Sequence, residues 1–247
     1  MKRPTIDHPG SVTAKFVESV VTAAVGAALA RVVGGLINPT VGWIAPGISG
    51  ANGLLSGWRQ IYSWRKRDGW LAFVLDSTWG VVMVAGSLFS HAWAAVTRAA
   101  HNEASLSTRQ NRHVYRRGAQ LQSGYTLTLG NVISGAGDVD GHRRRRLITD
   151  HEGVHVWQAR WFGPLYPIIY ALWGIGGSLV GIVVWLRGGR SKPLGAVTQS
   201  FAYYSNPLEW WAYSRDAYWP PSGAVGAGWK KPAARPLADV RAERPRR

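Results

Sequence analysis

The sequence predicts a mainly α-helical protein embedded in a membrane, with one small β hairpin. Charged residues make up only 17% of the 247 residues, compared with about 25% in typical soluble domains. Fourteen tryptophans and thirty glycines are typical of membrane helices and their interfaces. The third observation is a set of long stretches without Asp, Glu, Lys or Arg, which cover residues 32–58, 77–97 and 161–186.

These stretches define the predicted apolar segments, at residues 17–58, 70–97 and 161–186. Each uncharged stretch reaches the roughly 20 residues that a helix needs to cross a bilayer. A large buried core of a soluble protein is the alternative, but tryptophans at several segment edges favour lipid. The sequence therefore predicts an integral membrane protein, which we expect in the cell membrane. The tryptophans at segment edges are Trp58, Trp70, Trp93, Trp161 and Trp185.

The first apolar segment is interrupted by Pro39 and Pro46 and is rich in Gly and Ala. Small residues let two helices approach closely in lipid, which favours a two-helix hairpin. A cleaved signal peptide is the alternative, because basic residues precede the apolar stretch, whereas Glu18 at its start favours a retained anchor. At the edge of the next segment, Asp76 is either an interfacial residue or the partner of a basic side chain.

Between residues 120 and 140 the sequence pattern changes from helical to strand and turn. Alternation from Tyr125 to Leu129 predicts a strand, and the turn residues Gly130 and Asn131 follow it directly. We therefore predict a small β hairpin just before the next helix.

Basic residues give the chain a net charge of +16. They cluster next to the apolar segments, which predicts anionic lipid head groups as partners. Nucleic acid is not expected as a partner, since no recognition motif accompanies the charge. Residues 1–230 are predicted to form one membrane-embedded domain, and the Pro-rich residues 231–247 a basic disordered tail. Because the chain has no cysteine, disulfides and thiolate ligands are excluded.

The sequence His151-Glu152-Gly153-Val154-His155 carries the clearest chemical signal. Residues four apart share one face of a helix, so both histidines can bind one zinc ion while Glu152 acts as general base. The predicted helix covers residues 149–162. The alternative is a capping box from Thr149 to Glu152, with structural histidines and no metal.

A third protein ligand is expected, because catalytic zinc usually has three. Asn206 and Pro207 predict the start of a helix over residues 206–219, with Glu209 in its first turn. Glu209 is the candidate ligand. Two alternatives remain open: Glu209 caps its own helix, or Asp216 is the ligand instead.

Together, the two motifs resemble the gluzincins, zinc metallopeptidases whose third ligand is a glutamate, over residues 120–216. The resemblance implies His151, His155 and Glu209 as zinc ligands, Glu152 as the base and peptide hydrolysis as the activity. The chain departs from the family at Tyr213, where an acidic residue is expected.

Gln158, Tyr213 and Asp216 are candidates for contacting the metal ligands and holding them in position. The alternative for Gln158 is a polar side chain that faces solvent. In the resembled family an edge strand beside the metal helix holds extended peptide. Residues 124–130 are the candidate here, and a purely structural hairpin is the alternative. The expected substrate is a membrane-associated or unfolded polypeptide. The rival function is a non-enzymatic membrane scaffold, or a zinc-binding protein with a degenerate peptidase site.

One conflict concerns topology. If residues 165–186 crossed the bilayer once, His155 and Glu209 would finish on opposite sides. Glycines at 174–177 permit a sharp break, so we predict a broken hairpin that dips into the membrane and returns.

Overall fold

The structure is a computed structural model that describes residues 10–97, 101–121, 124–188, 190 and 193–215. The chain divides into two compact units, residues 1–164 and 165–247. Helices dominate the described residues and a three-stranded sheet accompanies them, which confirms the predicted fold class. The single domain of residues 1–230 stays a prediction, and the predicted tail, residues 231–247, lies outside the described residues.

The first unit contains seven α-helices, three strands and one π-helical turn among its described residues. They are α1 (Val12–Ile37), α2 (Pro39–Trp58), α3 (Arg67–Ser77), α4 (Val81–Thr97), α5 (Ala104–Ser107), β1 (His113–Val114), β2 (Leu127–Leu129), β3 (Val132–Ser134), α6 (His142–Arg146), the π-helical turn Leu147–Glu152 and α7 (Gly153–Phe162).

Helices α1 and α2 form the predicted hairpin. Asn38 ends α1 and caps α2, because its side chain accepts a hydrogen bond from the Thr40 amide (2.8 Å). Glycines allow the two backbones to touch: a Cβ at Gly53 would lie 2.6 Å from the Cα of Ala23. Ser19 donates a hydrogen bond across the same interface to the Leu54 carbonyl (2.6 Å). Packing through small residues is therefore confirmed.

Helix α1 is long and apolar enough to cross a membrane. The predicted segment 70–97 forms two helices, α3 and α4, bent by 89°, and the two together pass the same test of length and composition. The bend lies at Trp79 and Gly80, where the Gly80 amide donates to the Leu75 carbonyl (2.8 Å). A single straight helix over 70–97 is thus not formed.

The predicted hairpin is confirmed by β2 and β3, which pair antiparallel. Gly130 makes the turn with φ of +56°, and a Cβ there would clash with the Met83 carbonyl, so both the backbone angle and the space favour glycine. Strand β1 was not predicted, because it is only two residues long; it pairs parallel with β3.

A buried ion pair joins α3 to α7. The Arg160 guanidinium donates two hydrogen bonds to the Asp76 carboxylate, at 2.8 and 2.9 Å, and both residues are 1% exposed. Tyr62 and Asn131 donate further bonds to the same carboxylate, at 3.0 and 3.1 Å. Of the two roles considered for Asp76, partner of a basic side chain is confirmed.

The second unit contains α8 (Leu165–Arg187), α9 (Leu194–Gln199), the π-helical turn Ser200–Tyr204 and α10 (Pro207–Tyr213). Helix α8 is also long and apolar enough to cross a membrane. It runs unbroken through residues 174–177, so the predicted break there is wrong. A Cβ at Gly177 would lie 2.5 Å from the Phe201 carbonyl oxygen, and one at Gly181 would lie 2.7 Å from the Thr198 Cα. These glycines serve close helix packing.

The chain nevertheless turns back within this unit. Because Gly177 meets Phe201 and Gly181 meets Thr198, the returning segment runs antiparallel to α8. Arg187 is the last residue of α8, and Arg190 lies in the connection before α9 begins. Further along, Glu209 reaches the level of Tyr170, near the first residues of α8. Within the second unit, the chain thus reverses after α8 rather than in the middle of it.

We expect Arg160→Leu to lower the free energy of unfolding by about 3–5 kcal/mol, because it leaves the Asp76 carboxylate buried without its cation. Urea unfolding in detergent micelles would measure the difference. The matched control is Arg146→Leu, which removes the more exposed ion pair with Asp150 and should cost less than about 1 kcal/mol. Equal losses in the two variants would contradict the central role of the buried pair.

Candidate metal centre

The motif helix does not begin at Thr149. Helix α6, the π-helical turn and α7 are continuous from His142 to Phe162, so Thr149 lies inside helical backbone. Its hydroxyl bonds to the Asp150 carboxylate (2.7 Å). The Glu152 carboxylate does not reach back to Thr149 but accepts a hydrogen bond from Thr128. The capping-box explanation of Glu152 is therefore wrong.

The two histidines converge as the motif predicts. The Nε2 atoms of His151 and His155 lie 3.2 Å apart, and the two side chains are 2% and 5% exposed. A tetrahedral zinc with Zn–N bonds of about 2.0–2.1 Å would hold two such nitrogens about 3.3 Å apart. The spacing therefore fits two ligands of a single metal ion.

Gln158 fixes the orientation of one histidine. Its Oε1 lies 2.8 Å from Nδ1 of His155, and Gln158 is fully buried. An amide oxygen only accepts, so the tautomer of His155 with a proton on Nδ1 satisfies this bond, and that tautomer would leave Nε2 to bind a metal. Gln158 is therefore not a surface residue, and its support of a metal ligand stays a prediction to which the contact with His155 is suited.

Glu152 is held by a residue that the sequence did not reveal. Thr128, on strand β2, donates a hydrogen bond to Oε2 of Glu152 (2.6 Å), and Glu152 is 7% exposed. Thr128 is the only described side chain that bonds to Glu152, so Oε1 keeps its lone pairs. The alternation of residues 125–129 could have suggested a neighbour on this strand, but not which one.

Glu209 lies in the first turn of α10, in the second unit. Asn206 caps this helix by accepting from the Leu208 amide (3.0 Å), and its own N–H donates to the Tyr203 carbonyl (3.0 Å). Oε1 of Glu209 accepts instead from the Tyr170 hydroxyl (2.7 Å). Glu209 is 2% exposed, and its role as a helix cap is therefore wrong.

His151, His155 and Glu209 together could hold a metal ion. All three are buried, and one candidate ligand atom from each lies within 4.8 Å of the other two. These are the residues that the two motifs nominated, and the donor set is two imidazole nitrogens and a carboxylate oxygen. The fit is that of a site with three protein ligands.

Tyr213 and Asp216 were also predicted to support the metal ligands. Tyr213 is buried on the same helix as Glu209, and Asp216 lies outside the described residues. The hydrogen bond to the Glu209 carboxylate comes from Tyr170, a residue that sequence reasoning missed because it lies inside an apolar segment.

Comparisons with protein-family models, curated proteins and solved structures found no match for this chain. The resemblance to gluzincins therefore rests on the two motifs alone, and the activity is a proposal.

We expect Gln158→Leu to weaken zinc binding by about 10–100-fold, the usual cost of losing a residue that orients a ligand. A chelating dye that competes for zinc would measure the affinity in detergent. Gln110→Leu, at an exposed position, is the matched control and should bind zinc normally. Unchanged affinity in Gln158→Leu would contradict the orienting role.

Glu209→Ala should weaken zinc binding far more than Glu103→Ala, because one of three protein ligands is lost. Tyr170→Phe should give a smaller loss, since it removes only the hydrogen bond to Glu209. The same competition assay ranks all three variants. If Glu209→Ala bound zinc as tightly as Glu103→Ala, Glu209 would not be a ligand.

Proposed function

We propose that this chain is a membrane-bound zinc metallopeptidase that hydrolyses peptide bonds with an activated water molecule. The observation that carries the proposal is the convergence of the His151 and His155 Nε2 atoms, 3.2 Å apart, with the Glu209 carboxylate in the same buried cluster. Glu152 follows directly after His151, where a general base is needed.

Zinc is the metal that this donor set fits best. Neutral imidazole suits zinc, and three protein ligands leave a coordination position for water or substrate. Gln158 supports this choice because its hydrogen bond leaves the His155 Nε2 unprotonated. His151, His155 and Glu209 would hold the ion, and none of the three would need to change its protonation during turnover.

A zinc ion bound there would polarise the scissile carbonyl and make the attacking water more acidic. Glu152 would accept the proton of that water at Oε1 and deliver it to the leaving nitrogen as the C–N bond breaks. Thr128 supports this role, since its bond to Oε2 fixes the carboxylate while leaving the second oxygen available.

A membrane location is part of the proposal. Only 22% of the apolar window of α1 and 6% of that of α8 are buried, and apolar surface on this scale requires lipid or a partner. We propose the cell membrane, with anionic head groups at the basic clusters. A site carried by such a chain suits membrane-associated or unfolded polypeptides.

Strand β2 is proposed to hold the extended substrate. It is an edge strand of the sheet that the described residues form, where it pairs with β3. An extended peptide can add to such an edge through backbone hydrogen bonds. Because Thr128 lies on this strand, a peptide bound there would be next to the general base.

We expect Glu152→Gln to retain zinc and to lose hydrolysis by orders of magnitude, because the amide keeps the shape of the side chain but cannot accept the proton. The assay should use zinc-loaded protein in liposomes and a mixed polypeptide pool. Glu103→Gln is the matched control and should remain active. If wild type and Glu152→Gln gave the same result with zinc bound, a zinc-binding scaffold would be the better description.

A further inference from the structure

A cleft of about 640 Å³ opens in the first unit beside the β hairpin. Glycines line much of it, so backbone forms its walls and a ligand can approach closely. The charged side chains that line it are Arg116, Arg117, Arg144 and Asp138. The cleft is separate from the histidines, and the mechanism proposed above does not use it.

The three arginines differ in how much positive charge they leave available. Arg116 is neutralised by ion pairs with Glu103 (2.7 Å) and Asp140 (2.8 Å). Arg117 and Arg144 form no ion pair with any described residue. The available positive charge of the cleft therefore lies on Arg117 and Arg144.

Arg144 is held in a fixed position by neutral groups. Its Nε donates to the Ala136 carbonyl (2.6 Å), and one terminal nitrogen donates to the Gly135 carbonyl and the Thr126 hydroxyl, both at 2.9 Å. These acceptors orient the guanidinium without cancelling its charge. The other terminal nitrogen is left to meet a ligand, and a pre-oriented guanidinium is well suited to a carboxylate.

The cleft lies near the general base. Thr126, which binds Arg144, is two residues before Thr128, which binds Glu152, and two residues of extended chain span about 7 Å. Burial lowers the pKa of Arg144, while the negative charge of Glu152 acts in the opposite direction, as expected for neighbouring groups. A substrate side chain bound in the cleft would therefore belong to a residue only a few positions from the scissile bond.

We infer that the cleft binds an acidic side chain of a polypeptide substrate, an Asp or Glu close to the scissile bond, through Arg144 and Arg117. This inference rests on the proposed function, and it names a substrate class for that site. A carboxylate in the cleft would form ion pairs with Arg117 and Arg144, which form none with the described residues, whereas its uncharged analogue would form no ion pair.

Peptide binding tests the inference without requiring turnover. Two fluorescent nine-residue peptides are compared, identical except for a central glutamate or glutamine, on full-length Glu152→Gln protein in neutral detergent. The glutamate peptide should bind about tenfold more tightly, the size expected for one charge-assisted contact. The preference should weaken with added salt.

Two variants and one control assign the effect to the cleft. Arg144→Gln should remove most of the preference, and Arg117→Gln should reduce it. Arg117 makes no hydrogen bond among the described residues, so its replacement leaves the hairpin intact even if Arg144→Gln disturbs it. Arg145→Gln, an exposed position on the same helix, makes the same charge change and should keep the preference.

The outcomes separate this inference from the proposed function. A glutamate preference that depends on Arg117 and Arg144 supports the cleft assignment whatever the hydrolysis assay gives. Equal binding of the two peptides overturns it even if hydrolysis is observed. Binding of anionic phospholipid vesicles that is lost in the Arg117 and Arg144 variants, with no peptide preference, would also overturn it in favour of a lipid site.

Discussion

The ion pair between Arg160 and Asp76 fixes α7, which carries His155, within the first unit. Burying two opposite charges costs several kcal/mol unless their hydrogen bonds are satisfied, and here Tyr62 and Asn131 complete the carboxylate. Arg160 also donates to the Asn111 carbonyl (2.5 Å). One arginine thus ties α7 to α3 and to the chain leading into β1, and His155 lies little more than one turn earlier on the same rigid helix.

Neutral side chains form hydrogen bonds with the groups proposed to carry the chemistry. Gln158 orients His155, Thr128 orients Glu152 and Tyr170 orients Glu209. A charged partner in any of these places would compete with a metal or with a proton. The full ion pair is kept away from the centre, where it supports the fold, while neutral side chains orient the reactive groups.

Sequence analysis predicted the features that depend on neighbouring residues better than those that depend on long-range contacts. The spacing of His151 and His155 and the cap at Asn206 were predictable, because each signal lies within one turn of helix. Thr128 and Tyr170 were not, since their partners are 24 and 39 residues away. The break predicted at residues 174–177 was wrong because the sequence does not distinguish a glycine that permits a break from one that permits close packing. Only the partner segment, at Thr198 and Phe201, distinguishes them.

The π-helical turn Leu147–Glu152 sets the rotational phase between two parts of one continuous helix. A π turn contains one residue more than the α-helical turn it replaces, and each residue rotates the helix by about 100°. The arginines of α6 and the histidines of the motif therefore face directions that an unbroken α-helix would not give them. Loss of one of residues 147–150 from this turn would rotate Arg144 away from its carbonyl acceptors, although every side chain of the motif would still be present.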